Sequence, residues 1–160
     1  TICSNFQQLF DDKGVDFTYR LGVMVETPRA ALCADEIAVH SSFLSFGTND
    51  LTQMTYGLSR DDAGRFMSSY VKLGVYPEDP FHTLDIEGVG ELLKIGATRG
   101  RNARSDVVLS ICGEHGGSPE AIDFCRKAGF DYVSCSPFRV PVARLAAAQI
   151  ALADRIGGDP

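Results

Sequence analysis

No Cys-x-x-Cys pair occurs among Cys3, Cys33, Cys112, Cys125 and Cys135, and the number of cysteines is odd. Neither a disulfide framework nor a zinc site is suggested, and reduced thiols in a cytosolic protein are the simplest reading. No apolar run is long enough to span a bilayer and no signal-peptide pattern stands at Thr1, which predicts a soluble, unsecreted, cytoplasmic product with no membrane partner. Positive charge is scarce: 15 Lys and Arg face 21 Asp and Glu, for a formal net charge of −6. That balance argues against a nucleic-acid or anionic-membrane surface. A small basic pocket inside an acidic envelope can still accept an anionic substrate. Repeats, low-complexity tracts and long charge runs are also missing. What is present, 160 residues of which 44% are hydrophobic and 22% charged, fits one ordinary globular domain with a real core.

Along the chain, apolar runs and helical spacings alternate. Residues 1–12 place Ile2, Phe6, Leu9 and Phe10 on one helical face, and a start in mid-pattern suggests a fragment. After a turn at 13–16, residues 21–25 form a strand that ends in Glu26 and Thr27, and Pro28 opens a helix reaching about His40. Residues 43–46 are the second strand. A long connection from Leu51 to about Leu84 reads as a functional loop or lid, with a short helix near 63–71. A helix over 85–103, a strand over 107–112, a helix from Pro119 to the C-cap at Gly129, a short strand over 132–135 and a last helix ending near Gly157 complete the chain. The order is strand then helix, four times over, which predicts parallel strands covered by helices. An open doubly wound sheet and part of a (β/α)8 barrel both suit. Polar residues stand at several strand ends (Glu26, Asn49 and Asp50, Cys112 to Glu114, Cys135 and Ser136), which favours the barrel, where chemistry collects there. A whole barrel needs roughly 250 residues, so residues 1–160 are expected to be its C-terminal half, a single partial domain.

The stretch Ser45-Phe46-Gly47-Thr48-Asn49-Asp50-Leu51-Thr52-Gln53 runs from a buried strand into a polar turn. Thr48, Asn49 and Asp50 offer amides for negative oxygens and a carboxylate for a hard cation. A helix N-terminus would use the same residue types. Glu26 and Asp50, at neighbouring strand ends, are candidates to share one Mg²⁺, or each simply supports a helix start. Cys112 lies where an apolar strand meets a glycine-rich turn. It is either a packing thiol or a proton donor near neutral pH. Arg60 is a candidate clamp for a phosphate or carboxylate, or an ion pair for Asp61 or Asp62. His115 could orient a neighbour or simply occupy its turn. His40 and His82 read as surface residues, and Cys3, Cys33 and Cys125 as packing.

The segments VETPRAAL (25–32), FGTNDLTQMTYGLSRDDAGRF (46–66), ICGEHGG (111–117) and DYVSCSPFRVPVARLAAAQ (131–149) closely resemble the family of phosphoenolpyruvate-utilising enzymes, at the C-terminal end of its dikinase branch. FGTNDLTQ is shared across the wider family, including phosphoenolpyruvate synthase and enzyme I of the sugar phosphotransferase system. The other segments look specific to the dikinases. The resemblance implies the second half of a pyruvate/phosphoenolpyruvate-binding (β/α)8 domain. It implies interconversion of the two compounds by phosphoryl transfer from a phosphohistidine, dependent on Mg²⁺, with ATP and phosphate used by the full-length enzyme. It also implies Glu26 and Asp50 as Mg²⁺ ligands, Thr48, Asn49 and Asp50 at the substrate, and Arg60 neutralising the transferring phosphate. Cys112 would be the acid/base at the methyl carbon, with Gly113 allowing close approach beside it. The implied partners are the swivelling phosphohistidine domain and the ATP-binding domain of the parent chain, in a homodimer, in the cytoplasm or an organelle of a eukaryote. A phosphoenolpyruvate synthase and a non-catalytic barrel fragment are the alternatives. By itself the half-barrel is expected to be inactive and poorly stable, with an unpaired sheet edge.

Overall fold

The computed structural model of the chain describes residues 2–14 and 18–157; part of the expected turn at 13–16 and the side chains of Ile2 and Cys3 lie outside the described residues. Four strands, β1 (Gly22–Val25), β2 (Phe43–Gly47), β3 (Val108–Cys112) and β4 (Tyr132–Val133), form one sheet in the order β1-β2-β3-β4. Every pairing is parallel. A doubly wound sheet reverses its strand order at a switch point. Here sequence order and spatial order coincide, as in a sector of a (β/α)8 barrel. The sheet does not close: β1 and β4 are its two edges.

The register explains why one face is dry. Val23, Leu44 and Leu109 align across β1 to β3, and Val25, Phe46 and Ile111 align one pleat further on. These six point toward the helices, because residues two apart on a strand share a face. Against them pack Ala31 of α2 (Pro28–Leu32), Ala34 and Ala38 of α3 (Ala34–Ala38), and Val89, Leu93 and Ala97 further along the chain. Phe46, Leu44, Leu109 and Ile111 are fully buried, each contributing about 1.5–3 kcal/mol of burial free energy. Close approach is set by glycine: a Cβ on Gly96 would come within 2.6 Å of the Phe46 ring, and one on Gly100 within 3.0 Å of Leu44. The other face carries Met24, Ser45 and Ser110 in one row and Gly47 beside Cys112 in the next. That small and partly polar face is the one that a closed (β/α)8 barrel would enclose.

Several elements differ from the sequence reading. The helix after β1 is interrupted at Cys33, giving α2 and α3. The connection after β2 holds more helix than expected: α4 (Thr48–Tyr56) and α5 (Arg60–Ala63) precede α6 (Met67–Lys72), which takes the place of the short helix expected near 63–71. A small core of Ala63, Met67 and Phe81, with Leu58, Phe66, Val71 and Tyr76 around it, holds this segment together. The next helix, α7 (Val89–Ala103), begins later than expected because the Asp85 carboxylate accepts the amides of Gly88 and Val89 and fixes the start there. β4 is two residues long, paired only with Ser110 and Ile111. α8 (Pro119–Lys127) starts at the Ser118 cap, and α9 (Val140–Gly157) packs Ala143 and Ala146 on Ile122 of α8. At the other edge α1 (Ile2–Lys13) rests on an aromatic group, with Phe6 6.0 Å from the Tyr19 ring.

Candidate functional site at the strand ends

β2 runs without a break into α4, so the residues expected in a polar turn form a helical first turn. Gly47 is the N-cap, and Thr48, Asn49 and Asp50 follow as its first three helical residues. The orphan amides of that turn face the carboxyl ends of the strands, where the helix dipole favours negative charge. α4 ends at Gly57, whose φ of 64° is the left-handed C-cap that glycine tolerates.

Three neighbouring strand ends meet here. Glu26 follows β1 directly, and its Oε2 lies 2.9 Å from where a Cβ on Gly47 would sit. The absent side chain at Gly47 is therefore what lets this carboxylate lie against the start of α4. Half-buried, the Glu26 side chain has no hydrogen bond or ion pair among the described residues. Asp50 is exposed and accepts a hydrogen bond from Gln53 Nε2 at 3.1 Å. No cluster of three or more metal-ligating side chains occurs among the described residues. Two carboxylates at adjacent strand ends, one of them without a protein partner, fit Mg²⁺, which keeps several waters and takes one or two protein carboxylates.

Cys112 ends β3. Its thiol is half-buried, 3.7 Å from the Phe46 carbonyl and 4.0 Å from Met24 Sδ on the inner face. Cys125 makes the contrast: it belongs to the helix-facing core, and burial pushes its thiol up to about 12. The next residue, Gly113, has a φ of 117°, and a Cβ there would lie 2.6 Å from Thr48 Oγ1 and 3.0 Å from Asn49 Oδ1. Only glycine fits that turn. Asn49 Oδ1 accepts the Glu114 amide at 3.3 Å, and the Thr48 hydroxyl donates to the Cys112 carbonyl at 3.0 Å.

Arg60 pairs with neither Asp61 nor Asp62; its Nη2 lies 3.6 Å from Glu114 Oε1 across the site. The structure thus brings Glu26, Thr48, Asn49, Asp50, Cys112 and Gly113 to one set of strand ends, with Arg60 reaching over from α5. A cleft of about 210 Å³ opens beside them, between Gly113 and Glu114 on one side and Ser134, Cys135, Ser136 and Arg139 on the other.

A model of the PEP-binding domain of PEP-utilising enzymes matches residues 1–152. The chain belongs to that family. It is similar to pyruvate, phosphate dikinase of Clostridium symbiosum, 58% identical over 146 residues, which is 91% of this chain and 17% of the relative. It is similar also to the chloroplastic pyruvate, phosphate dikinase 1 of Oryza sativa subsp. japonica (59% over 145 residues, 91% of this chain, 15% of the relative). The enzyme of Rhizobium meliloti (strain 1021) is 56% identical over 149 residues, covering 93% of this chain and 17% of the relative. The chain thus spans less than a fifth of the length of these curated relatives.

One member of the site, Gln53, was not singled out by the sequence reading, and another, His115, was left open between orienting a neighbour and occupying its turn. Gln53 joins Asp50 to the start of α5: its Nε2 donates to the Asp50 carboxylate and its Oε1 accepts the Arg60 amide at 2.7 Å. Spacing could have found it, since Asp50 and Gln53 are an i, i+3 pair on α4. His115 does lie in a turn, the 3₁₀ turn Glu114–Gly117, but inside the protein. It is fully buried, with Nδ1 2.9 Å from Thr48 Oγ1 and Nε2 3.0 Å from the Pro80 carbonyl. Burial holds its pKa below the usual histidine value, partly offset by the Pro80 hydrogen bond, with Arg60 lowering it further. Nothing local in the sequence announces that burial, because Pro80 comes from 35 residues away. His40 and His82 are exposed, as expected. No helix among the described residues is long and apolar enough to cross a membrane.

Proposed function

We propose that the chain is the C-terminal half of the pyruvate/phosphoenolpyruvate-binding (β/α)8 domain of a pyruvate, phosphate dikinase, and that its strand ends carry the pyruvate half of that reaction. The parent interconverts pyruvate and phosphoenolpyruvate by phosphoryl transfer from a phosphohistidine, using ATP and phosphate on domains outside this chain. It acts as a homodimer in the cytoplasm or in an organelle. The observation that carries the reading is the meeting of a half-buried thiol, two carboxylates and a helix N-terminus at the same strand ends.

Pyruvate's methyl group must lose a proton before its oxygen can take a phosphoryl group. Cys112 moves that proton, from a position where the strand has ended and the backbone opens. Gly113 keeps the space beside the thiol clear. The first-turn amides of α4, with Thr48 and Asn49, hold negative oxygens of the substrate. Glu26 and Asp50 would hold Mg²⁺, which would supply positive charge to stabilise an enolate. Arg60 neutralises charge on the transferring phosphate; it leaves its weak, exposed pairing with Glu114 at little cost. The rest is positioning, as in phosphoryl transfer generally.

Cys112→Ala in the full-length enzyme tests the assignment. The expected result is loss of pyruvate methyl-proton exchange while phosphohistidine still forms from ATP and phosphate. A packing thiol would instead lower the melting temperature and leave exchange intact, and that result would overturn the proposal.

A further inference from the structure

Resting on the reading that Cys112 moves the methyl proton, we infer that His115 is a positioning residue for that thiol. Its ring ties the end of β3 to the α4 N-terminus and to the 57–88 segment, and so fixes the Cys112 backbone relative to Arg60. The geometry is a chain of polar contacts through a fully buried ring: Pro80 carbonyl to Nε2 at 3.0 Å, Nδ1 to Thr48 Oγ1 at 2.9 Å, and Thr48 Oγ1 to the Cys112 carbonyl at 3.0 Å. At one end of the chain, Pro80 precedes Phe81, a member of the small core that also holds Ala63, the last residue of the helix that begins with Arg60. At the other end is the peptide group of the reacting cysteine.

The proton count makes the arrangement specific. A carbonyl only accepts, so Nε2 must carry a proton to serve Pro80. Burial disfavours a second proton on the ring, so Nδ1 is an acceptor. The single Thr48 hydroxyl proton then stands between two acceptors, Nδ1 and the Cys112 carbonyl. Removing the ring leaves the Pro80 carbonyl without its donor and opens a void against Thr48, and both loosen the start of α4 that holds the Cys112 peptide group. The rest of the turn has no slack to absorb this. A Cβ on Gly116 would overlap the Ser134 carbonyl oxygen at 2.0 Å, and one on Gly117 would meet Arg139 Cδ at 2.3 Å.

The test uses the full-length enzyme, with pyruvate methyl-proton exchange as readout and Cys112→Ala alongside. For His115→Ala we expect kcat for exchange to fall about 30- to 100-fold, as displacement of a catalytic group by an ångström does, with KM for pyruvate within about threefold. His115→Asn keeps a polar atom for Thr48 and is expected to recover to within about tenfold of the parent rate. If both variants melt lower but exchange at the parent rate per folded molecule, His115 is merely structural and the inference fails. If Cys112→Ala itself exchanges normally, the proposed function falls, and the inference with it. Should His115→Ala not fold, ¹⁵N-histidine NMR of the unmodified enzyme decides. A neutral ring protonated at Nε2 from about pH 6 to about pH 8 supports the inference, whereas an imidazolium or an Nδ1-protonated ring overturns it.

Discussion

The two central strands and the two edge strands are built to different standards. β2 and β3 share five register pairs, and Leu44, Phe46, Leu109 and Ile111 are fully buried. β3 and β4 share two pairs, and β1 exposes Met24 at 47% and the preceding Leu21 at 38%. The central strand ends are likewise locked by side chains, through Thr48, Asn49, Gly113 and His115. The edge strand β1 contributes Glu26, which has no protein partner among the described residues. The centre of this half-barrel is thus held by its own side chains, while the edges and the proposed metal ligand Glu26 have no such ties among the described residues. The candidate chemistry straddles the two, with the proton-moving thiol on the finished side and one charge-holding carboxylate on the unfinished side.

Gly113→Ala strikes the finished side hardest. The added methyl would meet Thr48 and Asn49 at 2.6 and 3.0 Å, at a φ of 117° that side chains rarely adopt. We expect a loss of about 2–4 kcal/mol in chemical denaturation, and methyl-proton exchange down about 100-fold in the molecules that fold. Normal stability with normal exchange would mean the strand ends are softer than described. Glu26→Gln strikes the unfinished side. The half-saturating Mg²⁺ concentration for exchange should rise at least about tenfold, since disturbing even the groups that support metal ligands costs about that much. The melting temperature should barely move. A matching drop in stability would show Glu26 to be structural. Gly96→Ala separates packing from chemistry: its methyl meets the Phe46 ring at 2.6 Å on the helix-facing side. It should cost about 1–3 kcal/mol and leave exchange per folded molecule unchanged.

The smallest expected effect is a pH dependence. The fold holds the pKa of His115 below its ordinary value, by burial and by Arg60 and His82, against the Pro80 hydrogen bond and Glu114. The unfolded chain therefore binds a proton below about pH 6.5 that the folded chain refuses, and stability falls as pH drops through that range. Melting curves between about pH 7.5 and pH 5 should show this slope, flattened in His115→Asn. A slope unaltered by the substitution would assign it to other groups.

Alternation of apolar runs and helical spacings gave the parallel strands their places, and polar residues at several strand ends favoured the barrel over the doubly wound sheet. Legibility ended where a helix disguised itself. Thr48, Asn49 and Asp50 are poor helix formers but good first-turn residues, so α4 read as the start of a loop. Across 51–84 only the helix near 63–71 was read, because the short helices there depend on a local core around Phe81 rather than on their own periodicity. β4 shrank because edge pairing, which no run of residues reveals, supports only Tyr132 and Val133. At the site, strand-end residues were legible because strand ends are. Gln53 was not, and the sequence could not choose between the two roles open to His115, because both roles lie in what these side chains bond. For His115 both partners are remote in sequence.

One measurement tests the central claim most directly: a crystal structure of the full-length enzyme with Mg²⁺ and a phosphoenolpyruvate analogue. The account predicts Glu26 and Asp50 both on the metal at about 2.0–2.1 Å, with the Cys112 sulfur facing the methylene carbon of the analogue. A metal bound elsewhere, or a Cys112 side chain turned into the helix-facing core, would contradict it.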